Sequence, residues 1–272
     1  MELEGFRKYL YLEEKAENTQ TKYLRDLNEF SDYLKNSEEL SKEMVIRYKN
    51  HLIESGLRVS TVNSKIASLN KYFTYLGKPD YKAKSLKVQK KSFVPVEKDL
   101  SMAEYRRICR AASGNERLLL LVETLCSTGI RVSELRYFTV KAVRRGEIEI
   151  RNKGKLRLIL IPAELKNKLL RYAGKMQIGN GIIFRTRSGK PLDRSNIWTM
   201  LRSLSEKARV KKEKLFPHNL RKLFAKCFYR MEKDLSKLAD VLGHRSIETT
   251  RIYIMETAEQ HRRMINAMRL VI

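Results

Sequence analysis

Apolar residues recur at helical spacing through the N-terminal part of the chain. Leu3, Phe6 and Leu10 stand at i, i+3 and i+7, and Tyr23, Leu27, Phe30 and Leu34 form a second stripe after a capping signal at Asn18-Thr19. Val45, Tyr48 and Leu52 follow Ser41. Val62, Ile66, Leu69, Phe73 and Leu76 follow Ser60 and stop at Gly77. Each stripe is one helical face, and all but the first have a start signal. Four amphipathic helices with short links predict a small bundle over residues 1–77, with its aromatics packed inside.

The period is lost over residues 78–98, "KPDYKAKSLKVQKKSFVPVEK", where two prolines and seven lysines predict a linker. A basic, extended linker can lie along a phosphate backbone, which makes Lys84, Lys87, Lys90 and Lys91 candidate DNA contacts. The same charge run also suits a solvated strap.

Residues 99–272 form the second predicted domain. "SMAE" at 101–104 fits a capping box, and helical patterns run to about Thr128. "EIEI" at 147–150 alternates, "NKGK" at 152–155 is a turn, and "LRLILIP" at 156–162 is β-rich. After "GIIF" at 181–184 the pattern is helical to the end. The expected fold is mostly α with a small antiparallel sheet.

Composition narrows the partner. The chain has 272 residues, which suits two domains, and 42% hydrophobic content, which supports real cores. Its 57 basic and 31 acidic residues leave a net charge of +26. Solubility does not require so large an excess of one sign, and nucleic acid is the expected partner. The charged start "MELEGFRKYL" does not read as a signal peptide, and the longest apolar run, "LLLLV" at 118–122, is too short to span a bilayer. Cys109, Cys126 and Cys227 are scattered, as thiols of a reducing cytoplasm would be. His51, His218, His244 and His261 lack metal-ligand spacing, so no metal is expected.

Four stretches carry candidate chemistry. In "TGIRVSEL", Gly129 can end one helix and set Arg131 at the start of the next, with Glu134 one turn on. Arg131 there suits a phosphate, or equally a surface ion pair with Glu134. In "FPHNLRKLFA", Pro217 suits a first helical position, and His218 and Arg221 share a face. They offer an imidazole and a bidentate fork to one phosphate, or else a satisfied histidine beside a surface arginine. Lys153 and Lys155 flank Gly154 at a hairpin turn, where a lysine can reach a leaving oxygen or simply be solvated. In "LGHRSIETTRIY", Gly243 ends a helix begun near Asp234, His244 projects from the break, and Ser246 can cap a short helix carrying Tyr253. A phenol with an ordinary pKa of about 10 needs activation to act as a nucleophile.

In this order the four stretches resemble the tyrosine recombinases, or phage-type integrases. "TGIRVSEL", "NKGK-LR", "HNLRKLFA" and "LGHRSIETTRIY" match as a set, and "NTQTKYLRDLNEF" is similar to the usual second-helix entry of the family's core-binding domain. The resemblance implies a four-helix, SAM-like core-binding domain followed by a catalytic domain of the DNA breaking-rejoining type. It implies a site-specific recombinase or integrase, of the compact Xer-like or mobile-element kind. Strands would be cleaved and rejoined through a 3′-phosphotyrosyl intermediate and a Holliday junction, without metal, ATP or other cofactor.

By the same resemblance, Arg131 and Arg221 would clamp the scissile phosphate. His218 would hydrogen-bond it and help accept the Tyr253 proton. His244 would donate to a non-bridging oxygen, Lys153 would protonate the departing 5′ oxygen, and Tyr253 would attack phosphorus. The partners implied are double-stranded DNA and further copies of the chain in a tetramer on synapsed DNA, in the cytoplasm at the nucleoid, with accessory proteins where the task needs them. The stripe Met264, Ala267 and Leu270 would dock a C-terminal helix on a neighbouring copy. The hairpin is one residue shorter than the family's frequent pattern, which leaves Lys155 as the alternative acid, and Lys222 stands where histidine is frequent. The alternatives are relaxation of DNA by type IB topoisomerase chemistry and a DNA-binding protein without catalysis.

Overall fold

The computed structural model describes residues 2–34, 40–87, 99–152, 155–244, 246–254 and 266–267. The chain divides into two compact units, residues 1–91 and 92–272.

The first unit is built from α1 (Leu3–Leu12), α2 (Glu17–Leu34), α3 (Lys42–Glu54) and α4 (Val59–Tyr75). The apolar stripes meet as expected: Phe6, Leu10, Leu27, Phe30, Val45, Val62, Ile66, Leu69 and Phe73 are buried in one core. Ser41 caps α3 by accepting from Met44 N–H. Two expected starts move. Helix α2 begins ahead of Asn18-Thr19, because the Ala16 carbonyl already takes the Thr19 and Gln20 N–H groups. Helix α4 opens at Val59 with Arg58 as its cap, so Ser60 sits inside the first turn.

Part of the expected linker belongs to this unit. Pro79–Tyr81 form a 3₁₀ turn, and Ala83 is buried with the bundle core. Two α4 side chains hold the segment: the Asn70 amide exchanges hydrogen bonds with the Ala83 N–H and C=O at 3.0 and 2.9 Å. The Asn63 amide does the same with Leu86 at 2.8 and 2.9 Å. An Asn amide carries one donor and one acceptor side, so it pairs with backbone as a strand would. Lys84 and Lys87 remain exposed, while Lys90 and Lys91 lie outside the described residues.

The second unit runs α5 (Met102–Ala112), α6 (Glu116–Thr128), a 3₁₀ turn (Val132–Tyr137), α7 (Val140–Arg145), β1 (Glu147–Asn152), β2 (Lys155–Leu160) and α8 (Ala163–Lys175). It continues with α9 (Arg194–Arg202), α10 (Ser205–Ala208), a 3₁₀ turn (Lys212–Lys214), α11 (Pro217–Glu232), α12 (Leu235–Leu242) and α13 (Ile247–Ile254). Ser101 and Glu104 form the expected capping box on α5. After "GIIF" the helices do not resume at once. Thr186 N–H donates to Lys190 C=O at 2.7 Å, closing a tight turn before Asp193 caps α9.

Strands β1 and β2 pair antiparallel, with Ile148 opposite Ile159 and Ile150 opposite Arg157. Directly paired residues point to the same side of a sheet, so Arg157 joins the isoleucines on the buried face. Leu158 and Leu160 are left on the outer face, 44% and 68% exposed. The C-terminal stripe lies outside the described residues apart from residues 266–267.

Candidate active site

Helix α12 ends in a Schellman turn. Gly243 sits at φ +63°, its N–H bonds to Asp240 C=O, and the His244 N–H bonds to Ala239 C=O, both at 2.9 Å. That turn leaves the carbonyls of Val241, Leu242 and the cap residue Gly243 outside the helix ladder, and each meets a different arginine. Arg157 Nε donates to Val241 at 3.0 Å, Arg221 Nη2 to Leu242 at 2.7 Å, and Arg131 Nη2 to Gly243 at 3.0 Å. The negative end of the helix dipole favours cations at this place.

Arg221, one turn into α11, is only 2% exposed. Its Nη1 donates to Gly129 C=O, the αL cap of α6, at 2.5 Å. Its Nη2 also lies 2.9 Å from His244 Nε2. Stripping water from a bare guanidinium costs several kcal/mol, and these acceptors offset it. Burial first, and the neighbouring Arg131 and Arg157 next, push the Arg221 guanidinium down to about 10. Glycine is required at 129: φ is +59°, and a Cβ there would overlap the Phe224 ring.

Arg131 keeps 41% of its side chain exposed. Its Nη1 donates to Glu134 at 3.1 Å, and Glu134 closes the loop by accepting the Arg131 N–H at 2.7 Å. The expected pairing with Glu134 is therefore present, but the element that follows Arg131 is a 3₁₀ turn rather than an α-helix.

Tyr253, 7% exposed, lies between two imidazoles. Its ring centroid is 5.0 Å from that of His218 and 5.1 Å from that of His244, the latter nearly parallel at 14°. His218 in turn stacks on Phe216, with centroids 6.4 Å apart. Burial, then the charges of Lys222 and Arg221, lower the His218 pKa. Burial, then Arg221, Arg131 and Arg157, bring His244 down to about 4. Both imidazoles are therefore neutral at neutral pH in this state. Lys222 is tied to Asp99 at 3.2 Å.

Thus Arg131, Glu134, His218, Arg221, His244 and Tyr253 are brought together. Lys153 lies outside the described residues, and Lys155 is described by its backbone, opposite Asn152. Two participants went unassigned in the sequence. Thr250, fully buried, bonds His244 Nδ1 at 2.8 Å, and its signal is its place one turn before Tyr253. Arg157 closes the "NKGK-LR" stretch, where it is matched but given no role.

A cleft of about 880 Å³ opens beside the tyrosine, with Arg131, Arg136, Lys190, Arg194, Trp198, His218 and Arg221 in its lining. Its cations suit a polyanion. Among the described residues no group of His, Cys, Asp or Glu is placed to hold a metal ion, and no helix is long and apolar enough to cross a membrane.

Residues 98–260 match the phage integrase family, and residues 3–78 match its N-terminal SAM-like domain. The chain belongs to the phage integrase family. It is a tyrosine-type site-specific DNA recombinase, and the match of both parts disfavours the topoisomerase alternative. Tyrosine recombinase XerD of Staphylococcus aureus is 27% identical over 288 residues, covering 97% of each chain. The crystal structure of XerA recombinase is 26% identical with a TM-score of 0.55, covering 98% of this chain and 97% of that one. XerH site-specific recombinase in its post-cleavage complex with palindromic difH substrate is 20% identical with a TM-score of 0.72, covering 90% of this chain and 78% of that one. That last likeness is one of fold.

Proposed function

We propose that this integrase cleaves duplex DNA by attack of Tyr253 on a scissile phosphate held at the end of α12. The observation that carries this is that Arg131 and Arg221 meet at the end of α12 and line one cleft with Tyr253, whose ring packs on His218 and His244. The Tyr253 oxygen forms a bond to phosphorus, and the bond from phosphorus to the 5′ oxygen breaks. Neutral His218 accepts the phenolic proton, and Lys153, or Lys155 in its place, gives one to the 5′ oxygen. Arg131 and Arg221 neutralise the charge gained by the phosphoryl oxygens. As the anionic phosphate takes over an Arg221 donor on DNA binding, His244 takes up a proton from solvent and donates to a non-bridging oxygen. A 5′ hydroxyl of another strand reverses the reaction, giving a Holliday junction after the first exchange.

Duplex DNA is the substrate, as in the complexes of XerH with difH and of the Tn1549 transposon integrase with circular intermediate DNA. Residues 1–77 act as the core-binding domain and 99–272 as the catalytic domain, with the exposed Lys84 and Lys87, and Lys90 and Lys91 after them, on DNA phosphates. The working form is a homotetramer on synapsed DNA, acting at the nucleoid of the cytoplasm.

The test is covalent trapping on nicked duplexes. Wild-type protein forms a denaturant-stable adduct in the presence of a chelator, and Tyr253→Phe binds the same DNA without forming it. An adduct from Tyr253→Phe would move the nucleophile elsewhere.

A further inference from the structure

The end of α12 holds one more arginine than this chemistry uses. Arg131 and Arg221 take the carbonyls of Gly243 and Leu242, while Arg157 takes that of Val241. Arg157 stands apart from the cleft. It is 9% exposed, on the inner face of the hairpin, among isoleucines. Its Nη1 lies 2.8 Å from both oxygens of Glu134, the carboxylate that also holds Arg131. Its aliphatic stem packs directly beneath the Gly243 turn, where an added Cβ would overlap it.

A buried ion pair is a weak source of stability, since apolar residues of the same volume serve as well or better. Its geometry is what an apolar residue cannot supply. Glu134 is nearly buried, and one cation must neutralise it. With Arg157 resident, the carboxylate is satisfied without the full charge of Arg131. Without Arg157, Glu134 would draw Arg131 inward, away from the cleft. The fork of Arg157 also reaches two acceptors on different segments at once, Glu134 and Val241, which a lysine ammonium cannot do in fixed geometry.

We propose that Arg157 is a positioning residue for strand cleavage. It neutralises Glu134 and pins the Val241–Gly243 turn, so that Arg131 and His244 stand in place before a phosphate arrives. The inference rests on the proposed role of Arg131 as a phosphate ligand.

The full-length chain is tested as Arg157→Met and Arg157→Lys, with adduct formation measured in a single turnover at saturating nicked duplex. Binding and thermal midpoint are measured alongside. Both variants bind DNA nearly as wild type, and cleavage falls on the order of 100-fold, the scale of a misplaced catalytic group. The loss shrinks on a duplex whose scissile phosphate is a neutral methylphosphonate, because Arg131 then has less charge to offset. In a Glu134→Gln background, adding Arg157→Met costs less than it does in the wild type, because only the tie to Val241 is then lost. This double variant also carries no unpaired buried charge, so it tests the idea should Arg157→Met fold poorly. Wild-type cleavage by a folded Arg157 variant overturns the inference, as does an equal loss on phosphodiester and methylphosphonate. An adduct absent from the wild type itself would instead overturn the proposed function.

Discussion

His244 Nε2 lies 2.9 Å from Arg221 Nη2, and a guanidinium can only donate, so the imidazole accepts at that nitrogen. The ring proton is therefore on Nδ1, which donates to Thr250 Oγ1 at 2.8 Å. The site without DNA thus holds a neutral His244 in one tautomer. It faces Arg221, Arg131 and Arg157, with His218 across the Tyr253 ring.

This state has a pH signature. Folded His244 titrates at about 4 against an ordinary 6.5, so between those values the unfolded chain binds more protons. Stability falls as pH drops through that window and levels off below it. His218 is displaced in the same direction and adds to the fall. Thermal midpoints between pH 7 and pH 4 should drop less in His244→Asn than in wild type; an identical profile would remove His244 from the linkage. DNA binding near pH 5.5 should take up protons, measured as a dependence of binding heat on buffer ionisation.

Thr250 is the residue that orients His244. Thr250→Val leaves the Nδ1–H without its acceptor in a buried place, at a cost of about 1–3 kcal/mol. The thermal midpoint should fall and adduct formation should slow, while Thr250→Ser restores both. Equal behaviour of the Val and Ser variants would show that the hydroxyl contributes nothing.

Gly129 supplies an acceptor to Arg221 from the left-handed region. Gly129→Ala meets the αL penalty of about 1–2 kcal/mol and an overlap with the Phe224 ring as well. Chemical denaturation should register a loss beyond the αL term alone. Cleavage should fall further than stability does, because the carbonyl that fixes Arg221 moves. Phe224→Ala in the same chain should recover part of the stability.

Asn70 ties the segment after α4 to the bundle through two hydrogen bonds to Ala83. Asn70→Ala should cost about 1–3 kcal/mol, since the Ala83 N–H and C=O lose their partners. It should also open residues 79–87 to limited proteolysis. The catalytic unit holds its own core, so adduct formation at saturating DNA should stay close to wild type. Protection of that segment in the variant would mean that the apolar contact of Ala83 is enough.

What the sequence determined by itself is local. Helical period placed Phe6, Leu10, Phe30 and Leu69 in one core, and Ser41 and Ser101 marked helix starts because a cap needs only the next turn. Gly129 and Gly243 marked helix ends, since φ there is positive. The set of motifs identified the family and picked out Arg131, His218, Arg221 and Tyr253 from the cleft lining, but not Arg136, Lys190, Arg194 or Trp198. What only the tertiary structure decided is non-local. The three carbonyls at the end of α12, from Val241 to Gly243, meet arginines from the cap of the 3₁₀ turn, from β2 and from α11, up to 112 positions away in the chain. Arg157 stood at the end of the "NKGK-LR" stretch without a role until strand register turned it inward beside Ile159. Residues 79–86 read as linker because their anchors, Asn63 and Asn70, are side chains rather than a periodic pattern. Capping and period are set within a few residues and leave a mark in sequence. A buried charge is specified by whichever distant groups surround it, and only the folded chain brings those together.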